Sequence, residues 1–185
     1  NRPIVSLNPP GSTFKVVVAS AALASGRFTA DSLLPGPKTY QLPNSSKKLR
    51  NWTGRECGPE GKVTLRQAHA ISCNTAFAWL GNELGAAAIR DQAEAFGFNS
   101  GFNIPLRAAT SLFPQDPDAP QTALSAIGQF EVRATALQMA MVAASIGNSG
   151  RTMNPYLVQE IRGPDLSILQ TTEPTQLEDA LKPSN

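Results

Sequence analysis

A hydroxyl and an amine stand three residues apart in Ser12-Thr13-Phe14-Lys15, at the head of an apolar run over residues 16–24. Pro9-Pro10-Gly11 precede them. The prolines disfavour helix before the pair, and the glycine permits a tight turn. Ser12 is a preferred N-cap residue, so the pattern predicts a helix from residue 12 to about residue 24, stopped near Gly26. Lys15 then lies on the same face as Ser12, one turn up. Such a pair has the parts of a nucleophile and its base. The run behind it is apolar on nearly every face, which predicts a buried central helix. Burial lowers a lysine pKa and frees the amine to accept a proton. The same spacing recurs in Ser45-Ser46-Lys47-Lys48, but residues 44–48 are polar and read as an exposed loop. The start of a buried helix, by contrast, is a poor place for an idle charge.

A second candidate pair is Ser72-Cys73-Asn74, placed where one helical pattern breaks and the next begins. There a hydroxyl can relay a proton between Lys15 and a leaving amine. A carboxamide can bind a substrate amide while fixing the lysine. The simpler role for Ser72 and Asn74 is capping of the following helix. Ser6-Leu7-Asn8 repeats the pattern in what reads as a lead-in loop.

These residues are carried by 185 residues that are 41% hydrophobic with mean hydropathy −0.18, enough for one soluble globular domain or most of one. A net charge of +2 is too mild to argue for nucleic acid, and no apolar stretch is long enough to cross a bilayer. The chain opens at Asn1 without an initiator Met and reads as a piece of something larger. Cys57 and Cys73 lack CxxC spacing, and with His69 as the one histidine they make no zinc site. A disulfide, worth about 3 kcal/mol in a loop of this length and placing the chain outside the cytoplasm, and two buried free thiols both fit. Residues 1–11 read as an extended lead-in, and 27–61 as irregular with short strands near 39–42. A helix is predicted from the capping box Thr64-Leu65-Arg66-Gln67, then others over 75–84 and 86–96, closed by Gly85 and Gly97. Residues 98–120 read as loop, 133–146 as a long helix, and 156–161 and 167–171 as two strands. His69 reads as a packed or surface histidine. Trp52 and Trp79 read as core aromatics, with a cleft rim as the alternative for Trp52.

Together the two motifs make two thirds of the signature of penicillin-binding proteins and serine β-lactamases. Pro9-Pro10-Gly11-Ser12-Thr13-Phe14-Lys15 resembles the nucleophile segment of class B, monofunctional penicillin-binding proteins, and Ser72-Cys73-Asn74-Thr75-Ala76-Phe77 resembles their second motif. Ala126-Ile127-Gly128-Gln129 with residues 134–140 is similar to the Gly-Gln and helix segment ahead of their last motif, and residues 150–157 to the turn beyond it. The likeness is nearest the penicillin-binding protein A type of actinobacteria. It implies an α+β, penicillin-binding protein/serine β-lactamase-like transpeptidase fold. Residues 1–185 would be a partial transpeptidase domain, with no second domain, contributing mainly the helical side. Most of the antiparallel sheet would lie outside the chain, leaving an apolar surface to be covered.

The resemblance also implies a Cys57–Cys73 disulfide, and it assigns catalysis to Ser12, Lys15, Ser72 and Asn74 and substrate binding to Ser12, Ser72 and Asn74. The implied activity is D,D-transpeptidation of peptidoglycan stem peptides through an acyl-serine that β-lactams also form, with no metal or organic cofactor. The family's third motif, Lys-Ser/Thr-Gly, is not found. The nearest string, Lys38-Thr39-Tyr40, lacks the glycine and precedes Ser72. A second chain or segment is expected to bring that motif, the rest of the sheet and half the oxyanion hole. Without that half, about a hundredfold or more in rate is lost. Implied partners are stem peptides, β-lactams and cell-wall synthesis or division proteins, not nucleic acid. The implied location is the extracytoplasmic face of the bacterial membrane, reached through an anchor outside this chain. No glutamate resembles the deacylating loop of class A β-lactamases, which implies transfer to an amine. A D,D-carboxypeptidase or slow β-lactamase, a β-lactam sensor and a non-catalytic scaffold are the alternatives.

Overall fold

The computed structural model describes residues 1–102 and 104–181. Seven helices are seen among them: α1 (Arg2–Val5), α2 (Lys15–Ala24), α3 (Leu65–Ala70), α4 (Asn74–Leu84), α5 (Ala86–Ala95), α6 (Ala119–Ser125) and α7 (Ala136–Gly147). Eight short strands pair in four antiparallel ribbons. These are β1 (Leu33–Pro35) with β4 (Lys62–Thr64), β2 (Thr39–Gln41) with β3 (Lys48–Arg50), β5 (Arg151–Met153) with β8 (Gln176–Asp179), and β6 (Glu160–Arg162) with β7 (Ile168–Thr171). No helix is long and apolar enough to cross a membrane among the described residues.

The apolar run predicted to be central is central. Val17, Val18 and Ala22 of α2 are buried against α4 and α5, which contribute Ala76, Phe77 and Leu80, and Ile89 and Ala93. Phe14, just before α2, is buried between Phe98, edge-on at 5.5 Å, and Phe113, stacked at 5.8 Å. Burying such a ring contributes about 2–3 kcal/mol, and it pins the segment that carries Ser12. Helices α4 and α6 approach closely because position 81 is glycine: a Cβ there would lie 2.4 Å from that of Ala126.

Several elements differ from the expectations. Residues 2–5 form one helical turn, with proline at the start, where its missing N–H costs nothing. Residues 98–120 do not stay irregular to the end. Asp118 and Gln121 form a capping box that starts α6, the same device as Thr64 and Gln67 at α3. The long helix starts at Ala136, capped by Thr135, rather than at residue 133. Trp79 packs edge-on against Phe28, 6.4 Å away, but Trp52 is 80% exposed and takes no part in the core. Helix outweighs strand among the described residues, and Leu157, Leu166, Ile168 and Leu169 on and around the β6–β7 ribbon lie exposed.

Candidate active site

Ser12 does not cap α2. It is the second residue of a 3₁₀ turn, Gly11–Phe14, and the α-helix begins at Lys15, whose backbone N–H bonds to the Ser12 carbonyl. The turn has two braces. Thr13 Oγ1 donates to the Pro10 carbonyl at 2.7 Å, and the Gly11 N–H donates to the Gly128 carbonyl at 3.0 Å. Gly11 sits at φ +57° and Gly128 at φ +70°. Ser12 is exposed, while Lys15 is 1% exposed.

The Lys15 ammonium reaches four oxygens. It donates to Ser12 Oγ at 3.1 Å, Ser72 Oγ at 2.9 Å, the Ser72 carbonyl at 2.8 Å and Asn74 Oδ1 at 2.6 Å. Its nitrogen lies 5.6 Å from the centre of the buried Phe77 ring. All four acceptors are neutral, so no carboxylate offsets the loss of hydration. Burial lowers the Lys15 pKa from its ordinary 10.5 to about 8. One amine thus touches both serine hydroxyls and the asparagine carboxamide that the sequence singled out.

Ser72 occupies an unusual place at the end of α3. Its N–H bonds to the His69 carbonyl at 3.1 Å, and the Cys73 N–H to the Ala68 carbonyl at 2.8 Å, a Schellman closure. The left-handed residue of that motif is usually glycine, but here it is Ser72 at φ +57°. A non-glycine residue there costs on the order of 1–2 kcal/mol, and the side chain it retains meets Lys15. We therefore expect Ser72→Gly to be more stable than Ser72→Ala by up to about 1 kcal/mol, because both lose the hydroxyl and only alanine retains the strain. Denaturant midpoints of the two variants check this, and an alanine variant equal to or more stable than glycine refutes it.

Asn74 is the first residue of α4 and does not cap it; the N-cap is Cys73, with no side-chain cap bond. Instead the Asn74 amide spans Lys15 and the Arg50 carbonyl, to which Nδ2 donates at 3.2 Å. His69 stacks edge-on against Phe77 at 6.0 Å. Burial first, and the Lys15 charge second, depress its pKa, so it is neutral at physiological pH. The decoy Ser45 lies in the turn of the β2–β3 hairpin and Lys48 begins β3, and neither is among the hydrogen-bond partners of Lys15. Thr39 begins β2, and Lys38 immediately precedes it.

Cys57 and Cys73 are disulfide-bonded, with Cα atoms 6.0 Å apart. The bridge ties the segment after β3 to the residue between Ser72 and Asn74. Beside it the buried Asn51 donates to the Pro37 and Arg55 carbonyls and accepts from the Thr75 N–H at 3.1 Å. Asn51 and this scaffold escaped sequence reasoning: a lone Asn before Trp52 has no periodic or spacing signal. Reduction of the bridge is expected to cost about 3 kcal/mol of stability and to slow any acylation of Ser12, because both neighbours of Cys73 contact Lys15. Denaturant unfolding and β-lactam binding with and without a reductant check this.

A largely buried helix entered through a 3₁₀ turn that carries an exposed serine, a lysine at its first position with no carboxylate partner, and a Ser-x-Asn loop whose side chains meet that lysine together define the helical side of a penicillin-binding-protein-like fold. The chain belongs to that family: the profile described as "Penicillin binding protein transpeptidase domain" matches residues 1–184. It is 45% identical to "Peptidoglycan D,D-transpeptidase PbpA" of Mycobacterium tuberculosis (strain H37Rv) over 184 residues, covering 99% of this chain and 37% of that protein. It superposes on M. tuberculosis penicillin-binding protein A in its penicillin G acyl-enzyme complex with TM-score 0.96 at 44% identity, covering 100% of this chain and 42% of that one. The imipenem acyl-enzyme complex of the same protein gives the same TM-score of 0.96 and the same identity of 44%, with 100% and 42% covered. The chain thus spans about two fifths of the length of the relatives it matches.

Proposed function

We propose that these residues are the acylating half of a peptidoglycan D,D-transpeptidase. The observation that carries this is the contact of Lys15 with both Ser12 Oγ and Ser72 Oγ in a buried, uncompensated setting. Lys15, once neutral, takes the Ser12 proton as the Ser12 oxygen attacks the penultimate D-Ala carbonyl of a stem peptide. The Ser12 N–H lies at the start of the 3₁₀ turn, among those left without an internal partner, and supplies one oxyanion donor. The second comes from a Lys-Thr-Gly strand outside residues 1–185, supplied by a further segment or a partner. Ser72 relays the proton from Lys15 to the departing D-Ala, and Asn74 holds Lys15 and the substrate amide. A neighbouring stem peptide's amine then attacks the acyl-enzyme, and β-lactams acylate Ser12 and stall. The relatives named above are D,D-transpeptidases or β-lactam acyl-enzymes, which supports this reading. The corresponding location is the extracytoplasmic face of the cell membrane, among cell-wall synthesis or division proteins.

The test is intact-mass and peptide mass spectrometry of the full-length enzyme with penicillin, then product analysis with a stem-peptide donor and an amine. A single adduct on Ser12 and an aminolysed product are expected. An adduct on another residue, or none, overturns the assignment of Ser12. Hydrolysed product alone makes it a carboxypeptidase, and a stable adduct without turnover of the donor makes it a sensor.

A further inference from the structure

Beside the second motif lies a cavity of about 510 Å³, of whose lining the proposed acylation chemistry uses only Ser72. Asn51, Trp52, Thr53, Glu56, Ala70, Ile71 and Ser72 are among the residues lining it, together with the bridged Cys57 and Cys73. Trp52 is 80% and Ile71 49% exposed. An indole this bare on a rigid segment is unusual, because aromatic area is normally spent on packing. The segment is rigid by construction. Asn51 fastens one end to Pro37, Arg55 and Thr75. The disulfide and a 2.8 Å bond from the Cys57 N–H to the Gly36 carbonyl fasten the other. Glu56, between these anchors, is exposed and joins no salt bridge among the described residues. An unpaired carboxylate, an open indole face and the aliphatic Ile71 fit an aliphatic arm that ends in an ammonium group. Ser72, on the cavity wall, is one hydrogen bond from Lys15.

We propose that this cavity is the acceptor subsite: it holds the amine-bearing side chain of the second stem peptide, with Trp52 and Glu56 on the ammonium and Ile71 on its methylenes. This rests on the transpeptidase reading above. The bound ammonium loses one proton to water and with it its hold on Trp52 and Glu56, which frees the nitrogen to move past Ser72 to the Ser12 ester. The neutral amine then attacks the Ser12 ester carbonyl, the C–N bond forms, the C–O bond to Ser12 breaks, and the amine's second proton passes through Ser72 and Lys15 to the Ser12 oxygen. Trp52 and Glu56 do not touch the reacting carbon; they set which amine arrives.

The experiment uses the full-length enzyme and a donor peptide ending in D-Ala-D-Ala, with two acceptors: Nα-acetyl-lysine amide, cationic at neutral pH, and hydroxylamine, uncharged there. The ratio of aminolysed to hydrolysed product is read for wild type, Trp52→Ala, Trp52→Phe and Glu56→Gln. With the lysine acceptor, Trp52→Ala and Glu56→Gln are expected to lower the ratio about five-fold or more, and Trp52→Phe less. With hydroxylamine the ratio stays at the wild-type value. An unchanged ratio with the lysine acceptor overturns the subsite, and so does an equal fall with both acceptors, which would make the segment a support for Ser72 only. If wild type aminolyses with neither acceptor, the transpeptidase reading itself fails and the subsite falls with it.

Discussion

Lys15→Arg is expected to abolish penicillin acylation of Ser12 while retaining a positive charge at position 15. In the proposed mechanism the buried amine acts as a base, and a guanidinium does not deprotonate in proteins. Losing a positioned general base costs roughly 10²–10⁴-fold. The planar fork also does not reproduce the single nitrogen that meets Ser12 Oγ, Ser72 Oγ and Asn74 Oδ1. In the wild type, acylation should climb as pH rises through about 8, where Lys15 gives up its proton, and then level off. The linked effect on stability has a definite sign. The native state binds the proton more weakly than the unfolded chain, so stability rises between about pH 8 and the ordinary lysine value of 10.5. The measurement is the second-order rate of fluorescent-penicillin acylation against pH for both proteins. An arginine variant that acylates within ten-fold of wild type, or a wild-type profile flat through pH 8, would remove Lys15 from the role of base.

Most of this site was legible because its signals are local. Ser12 and Lys15 are three residues apart at the mouth of an apolar run, and helical geometry alone brings them together. The approach of Ser72 and Asn74 is different. Fifty-seven residues separate Ser72 from Lys15, and no periodicity predicts that contact; only the resemblance to a known family joined the two motifs. Ser12 failed as a cap because Gly11 at φ +57° turns the chain into a 3₁₀ entry, so the hydroxyl faces Lys15 instead of a backbone N–H. Trp52 was placed in the core on residue type, yet neighbours held by Asn51 and the disulfide leave it outside. The box that starts α6 was readable as Asp118-Ala-Pro-Gln121 but was masked by the Asn, Pro and Asp around it. Short ribbons such as β1–β4 and β5–β8 escaped because three or four residues carry too little alternation to read.

The largest effect from a residue outside the lysine cluster is expected at Gly128. Its carbonyl holds the Gly11 N–H at 3.0 Å, so the backbones of the Gly-Gln segment and the turn that carries Ser12 lie against each other. A Cβ at position 128 would lie 2.1 Å from the Gly11 carbonyl oxygen and 2.7 Å from the Gly11 nitrogen. Those atoms are backbone and have no rotamer by which to withdraw. The φ of +70° adds its own penalty for any L side chain. Gly128→Ala must therefore push the turn away, and Ser12 with it, by about an ångström. A misplacement of that size costs on the order of 100-fold in rate even when every catalytic group is retained. Gly11→Ala serves as the comparison: it carries a similar φ penalty at +57°, but its Cβ would meet only Gln129 Nε2, at 3.8 Å. The expected order of acylation rates is wild type, then Gly11→Ala, then Gly128→Ala, the last at least ten-fold below Gly11→Ala. If the two variants lose equal activity, backbone strain alone accounts for the effect. If Gly128→Ala keeps the wild-type rate, the turn that carries Ser12 does not depend on the segment that lies against it.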